Sequence, residues 1–151
     1  MDLQSKIIES VVEIFSTMLM LDVASSGEPA AESTPQVDSI TGIVGLAGTH
    51  KGCLAIHLPH KVAMTITSNF LGMDVEEINA DVEDAVGELA NMLGGNVKSI
   101  LSGKGRDIEL SLPTTVSGHE YDFQPTQEVE RHLIQFDGDA GSFCVELQLE
   151  K

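Results

Sequence analysis

The chain reads as an α+β fold, a mostly antiparallel sheet with helices packed on one face. Apolar residues recur at helical spacing in three separate stretches and alternate at strand spacing in several others. The order is a helix, two strands, two helices, then three or four strands. No βαβ unit repeats, and that argues against a parallel sheet. A length of 151 residues suits one domain, 1–151, with a core of its own.

Residues 2–21 give the first helix. Ile7, Ile8, Val11, Val12, Ile14, Phe15, Met18 and Leu19 form a wide apolar face, with Glu9 and Glu13 opposite. Residues 22–36 are small, polar and Pro-containing, and read as a mobile connector inside the domain. Residues 37–48 and 53–58 read as a hairpin turning at Thr49-His-Lys-Gly52. Pro59 opens a short helix that Gly72 stops, with Val62, Ile66, Phe70 and Leu71 on its buried side. A long helix starts near Asn79 or Asp81, both good caps, and ends at Ser102-Gly103-Lys-Gly105. Asp107–Leu112 alternates as a half-buried strand that Pro113 interrupts, with pairing open to resume over Thr114–Val116. Residues 117–125 read as a loop. Glu128–Phe136 and Ser142–Leu149 read as a terminal hairpin turning at Asp137–Gly141, with Phe143, Val145, Leu147 and Leu149 on one face.

Composition removes several classes of function. Eight basic and 24 acidic residues leave a formal charge of −16, which repels phosphate backbones and anionic lipid. Aromatic residues are 4% of the chain, too few for a base-stacking platform. Nucleic acid and membrane are therefore not expected as partners. No stretch is long enough to span a bilayer, and the amphipathic opening lacks a signal-peptide pattern, so a cytoplasmic location is expected. Cys53 and Cys144 sit in apolar strand patterns and read as small buried hydrophobes in a reducing compartment.

The long helix carries the chemistry. Val86, Leu89, Ala90, Leu93, Val97 and Ile100 fall on one side, and Asp84, Glu88, Asn91, Gly95 and Lys98 in a narrow stripe on the other. Glu88 and Asn91 are neighbours one turn apart. An acid and a carboxamide so placed can hold a cation on a partner while orienting a water molecule. Gly87, Gly94 and Gly95 each cost about 1 kcal/mol relative to Ala inside a helix, so each needs a reason, and close approach of another backbone is the usual one. Gly95 lies in the stripe just past Asn91, where its bareness would let a partner come near.

Other candidates are weaker. His57 and His60 straddle a strand end and a helix start without a third ligand at zinc-site spacing, and read as a solvated turn. His119, Glu120 and Asp122 read as a polar loop. Gly42, Gly45 and Gly48 are no phosphate-binding loop, since no Gly-Lys-Ser/Thr follows. Met18, Met20, Met64, Met73 and Met92 read as core or connector filler. A small-molecule binding domain would need a convergent polar set around an apolar pocket, and none is visible.

Asp84-x-x-x-Glu88-x-x-Asn91, followed by Gly94-Gly95 and Lys98 on a long amphipathic helix ahead of Pro113 and a terminal hairpin, resembles the CheC/CheX family of chemotaxis phosphatases. The resemblance spans nearly the whole chain and implies their fold. It implies a two-component signalling role, hydrolysis of the phosphoaspartate of a CheY-type response regulator. Glu88 and Asn91 then match the catalytic acid and amide, and Asp84, Gly95 and Lys98 extend the partner-binding edge. No cofactor is implied for this chain, and no metal ligands. Mg2+ is expected on the partner. Larger relatives carry a second motif on the first helix. Here neither Glu9 nor Glu13 has an Asn three residues on. One site per chain follows, closest to the CheX branch, whose members are homodimers. A non-catalytic adaptor that binds a receiver domain or flagellar-switch component would use the same stripe.

Overall fold

A computed structural model describes residues 3–25, 36–102, 108–121 and 129–150. The elements run α1 (Leu3–Met18), β1 (Val23–Ser25), β2 (Gln36–Gly48), β3 (Gly52–Pro59), α2 (His60–Leu71), α3 (Ala80–Leu101), β4 (Ile108–Leu110), β5 (Thr114–Tyr121), β6 (Val129–Gly138) and β7 (Gly141–Glu150). The strands form one antiparallel sheet in the order β1-β6-β7-β3-β2-β4, with β5 also paired to β2. The three helices share its inner face. Leu54, Ile56 and Leu58 of β3 and Phe143, Val145 and Leu147 of β7 point into one apolar cluster with Ile7, Val11 and Phe15 of α1 and Val86, Leu89 and Leu93 of α3. Phe143 stacks between Phe15 and Phe136, at ring-centre distances of 4.8 and 5.2 Å.

Local signals set the helix ends. The Asn79 side chain accepts a hydrogen bond from the Val82 amide at 3.2 Å and so caps α3. Asp81 and Glu83 in the first turn favour the positive end of the helix dipole. Gly72 closes α2 at φ 70°, a left-handed conformation that suits glycine. One close approach holds α3 over β2: a Cβ on Gly42 would lie 3.0 Å from both Cγ1 and the carbonyl oxygen of Val86. The missing side chain lets the helix settle directly onto the strand.

Several expectations need correction. The strand expected over 107–112 ends already at Leu110 (β4, Ile108–Leu110), and Asp107 lies outside the described residues. The loop expected over 117–125 is, as far as Tyr121, the second half of β5; residues 122–125 lie outside the described residues. The connector includes a short strand, because Val23–Ser25 pairs with Phe136–Gly138; residues 26–35 lie outside the described residues. Leu71 is exposed, as are Met18, Met20 and Met73, which lie at or just past the C-terminal ends of α1 and α2. His57 is not in a solvated turn. It is 2% exposed within β3.

Candidate functional site

The stripe on α3 faces outward. Asp84, Glu88 and Asn91 are exposed, and Gly95 and Lys98 half-buried. Val82, Val86, Leu89, Ala90, Leu93 and Val97 are buried on the opposite side. Among the described residues no side-chain hydrogen bond or ion pair occupies Asp84, Glu88, Asn91 or Lys98. Successive helix turns put the Glu88 and Asn91 Cβ atoms about 5–6 Å apart. The carboxylate and the amide therefore stand together on a rigid rod whose other face is locked into the core.

The three helical glycines have different surroundings. A Cβ on Gly94 would lie 3.1 Å from Val44 Cγ1, tight enough to press on β2. One on Gly87 would meet Pro113 at 3.7 Å, ordinary contact. One on Gly95 would meet nothing within 4 Å. Gly94 thus serves the fold, whereas nothing in the described fold requires Gly95 to be bare. Beside the stripe, an open cleft of about 410 Å³ runs between α3 and β5, lined by Glu83, Asp84, Gly87, Glu88, Pro113 and Thr115. Sequence reasoning missed Pro113 and Thr115 as its far wall, because Pro113 registered only as a strand breaker.

A second polar constellation lies on the outer face of the sheet, and sequence reasoning missed it as a group. Glu146 on β7 opposes Ala55 and Leu133, so His57 and Arg131 reach it diagonally from either side. His57 Nε2 lies 3.0 Å from Glu146 Oε1, and Arg131 Nε donates to Glu146 Oε2 at 2.7 Å. Gln148 Nε2 donates to the same carboxylate. On the other side of the imidazole, Thr41 Oγ1 lies 2.8 Å from His57 Nδ1 and 2.7 Å from the Tyr121 hydroxyl. Burial alone would raise the Glu146 pKa, but the bonds from His57, Arg131 and Gln148 outweigh it and hold the carboxyl below its ordinary range. Burial, aided by the Glu146 charge, pushes the thiol of Cys53 up to about 11 and that of Cys144 up to about 12, so neither is a nucleophile.

Two of the remaining histidines, His60 and His119, are held locally. His60 Nε2 lies 3.0 Å from the Ser39 carbonyl oxygen and 3.1 Å from Ser117 Oγ, tying α2 to β2 and β5. His119 pairs with Asp38 on the surface at 2.6 Å, and that hydrogen bond raises its pKa. Among the described residues no His, Cys, Asp or Glu side chains cluster in threes as a metal site. Among the same residues no helix is long and apolar enough to cross a membrane.

An exposed acid–amide pair thus stands beside an open cleft, on a helix whose other face is locked into the core of an α+β fold. The chain belongs to the family described as Chemotaxis phosphatase CheX, whose sequence profile matches residues 40–137. It is 27% identical over 116 residues to the CheY-P phosphatase CheX of Thermotoga maritima, covering 76% of this chain and 74% of that protein. It is similar to the crystal structure of the chemotaxis protein CheX from Vibrio vulnificus, with a TM-score of 0.85 at 26% identity, covering 99% of this chain and 97% of that one. The Borrelia burgdorferi CheX in a CheX–CheY–BeF3–Mg2+ complex shares the fold, with a TM-score of 0.78 at 19% identity over 99% of each chain.

Proposed function

We propose that this chain hydrolyses the phosphoaspartate of a CheY-type response regulator, with Asn91 placing the attacking water and Glu88 docking the regulator. The observation that carries the reading is the exposure of Glu88 and Asn91 side by side on α3, with neither side chain engaged among the described residues. The curated relative's description as a CheY-P phosphatase supports the substrate.

The chemistry asks little of the helper. An aspartyl phosphate is an activated acyl phosphate. Hydrolysis adds water at phosphorus and releases the aspartate carboxylate and inorganic phosphate. The Mg2+ carried by the receiver neutralises phosphoryl oxygens, as the composition of the Borrelia complex suggests for its own partner. What remains is to hold a water in line with the breaking P–O bond. The Asn91 carbonyl oxygen accepts a hydrogen from that water while its NH₂ group donates to a neighbouring acceptor. A carboxylate there would repel the phosphoryl group, whereas the amide is neutral. Glu88, one turn away, forms a charge-assisted bond to the lysine that receiver domains carry beside their phosphorylated aspartate. Asp84 and Lys98 flank this pair, and Gly95 leaves room for the receiver backbone. The chain acts as a cytoplasmic homodimer, in keeping with the family resemblance; a solution mass of one chain by light scattering would overturn the dimer.

The test is decay of a phosphorylated receiver under a catalytic amount of this protein. Wild type accelerates decay with turnover. Asn91→Ala loses about 10²–10⁴ of that acceleration, the range of positioned proton-handling groups, with an unchanged melting temperature. Glu88→Ala loses affinity for the receiver as well as turnover. Full activity of Asn91→Ala would overturn the assignment. Stoichiometric protection of the phosphoryl group by wild type would instead make the chain an adaptor.

A further inference from the structure

β4 and β5 both pair with β2 but are not one continuous strand. Leu110 opposes Leu46, and Thr114 opposes Ile43. Between these pairs Val44 and Gly45 face three residues, Ser111, Leu112 and Pro113. The extra residue makes a β-bulge, the device that re-aims a side chain at a sheet edge. Proline is tolerated at such a place because no ladder hydrogen bond is needed from it.

The bulge is pinned. The Ser111 amide donates to the Gly45 carbonyl oxygen at 3.0 Å. Ser111 Oγ accepts from the Gly45 amide at 2.8 Å and donates to the Leu112 carbonyl oxygen at 3.1 Å. Leu112 precedes a proline, which further restricts its backbone to extended conformations. The bulge is also set against α3 at two points. A Cβ on Gly94 would lie 3.7 Å from Leu110 Cδ1, and one on Gly87 3.7 Å from Pro113 Cβ. Asn91 lies between Gly87 and Gly94 on the helix. Leu112 lies between Leu110 and Pro113 on the bulge. Yet Leu112 is 88% exposed, the highest value among the exposed large hydrophobic residues of the described structure.

A lone exposed leucine is ordinary and asks for no explanation. This one is held by three hydrogen bonds in a bulge that brackets the water-positioning residue, while its own side chain contributes almost nothing to the core. We propose that Leu112 is the apolar anchor of the receiver-docking surface, meeting an apolar side chain at the rim of the receiver's phosphorylation pocket while Glu88 engages the receiver's lysine. This rests on the phosphatase reading above. The stripe supplies charge and a polar amide but no apolar contact. Leu112 supplies one from the adjoining bulge, whose neighbours Leu110 and Pro113 lie against α3 and whose backbone is pre-organised, so that little conformational freedom is lost on binding. Full burial of a leucine side chain corresponds to roughly ten- to hundredfold in affinity.

The experiment titrates wild type and Leu112→Ser against a CheY-type receiver loaded with beryllofluoride and Mg2+, then follows decay of the phosphorylated receiver over a range of receiver concentrations. Leu112→Ser should raise Kd and KM about tenfold or more, leave kcat within about twofold, and leave the melting temperature unchanged. Leu112→Met should restore most of the affinity. Unchanged Kd and KM in Leu112→Ser, or a loss confined to kcat, would overturn the anchor while leaving the phosphatase intact. Binding by wild type without turnover would overturn the phosphatase reading, and Kd would still decide the anchor. No binding by wild type would overturn both.

Discussion

Glu146 and Glu88 are both glutamates on regular elements, and they sit at opposite extremes of exposure. Glu146 is 0% exposed. Its carboxylate is held by His57, Arg131 and Gln148. Glu88 is exposed and, among the described residues, holds nothing. A buried charge is tolerable only when it is paired and hydrogen-bonded, and the outer face of the sheet meets that need at Glu146 with three of its own side chains. An exposed charge costs the fold nothing, and the helix can keep it free. The difference separates a polar group that specifies the fold from one available to a partner. Perturbed ionisation alone would have pointed to Glu146, whose surroundings are those of a structural network.

Breaking the buried side should have the larger effect on stability. Glu146→Ala leaves the His57 imidazole and the Arg131 guanidinium facing a hole. The expected cost is roughly 3 kcal/mol, the low end for breaking a buried pair because Arg131 reaches toward solvent. The denaturant midpoint measures it, and kcat at a temperature where the variant is folded should be unchanged. A comparable loss from Glu88→Ala would erase the contrast between the regions. Acid should act in the same place. The folded-state pKa of Glu146 lies below its unfolded value, so the stability it contributes is present above the unfolded carboxylate range. That contribution disappears as pH falls from there through the folded value. Wild type should therefore lose stability on acidification more steeply than Glu146→Gln, which has no carboxyl to protonate. Parallel curves of denaturant midpoint against pH would remove Glu146 from the acid response.

The two regions were unequally legible. The α3 stripe could be read directly, because helical periodicity alone assigns each residue to a face and the far face is plainly apolar. The Asn79 cap and the Gly72 stop could be read for the same reason: their signals are local. β5 could not. It sits at the sheet edge with Thr114, Val116, Ser117, His119 and Glu120 exposed, so main-chain pairing to β2 holds it and no apolar alternation announces it. The Glu146 network is a matter of register. Alternation along β7 reads as an apolar inner face and a wet outer one. Only the pairing of β7 with β3 and β6 brings His57 and Arg131 to the carboxylate, where Glu146 and Gln148 are buried. Pro113 suffers likewise. Its meaning as a wall of the cleft depends on the bulge opposite Val44 and Gly45.

Gly95 gives the smallest expected effect and the finest test of the comparison. In a core, replacing a helical glycine by alanine can fail sterically; Gly94, with Val44 Cγ1 3.1 Å from the added carbon, faces that risk. At Gly95 the added carbon meets nothing, so only backbone propensity acts, and Gly95→Ala should stabilise α3 by about 1 kcal/mol. If the stripe were only a wet helix face, the variant would be a better protein in every respect. If the receiver lies down against the helix past Asn91, the methyl group stands in its way. Receiver affinity should then fall severalfold while the melting temperature rises. Stability and function moving in opposite directions at one residue is the mark of a surface shaped for a partner. A gain in both would place the receiver's approach elsewhere along α3, toward Asp84 and the cleft beside β5.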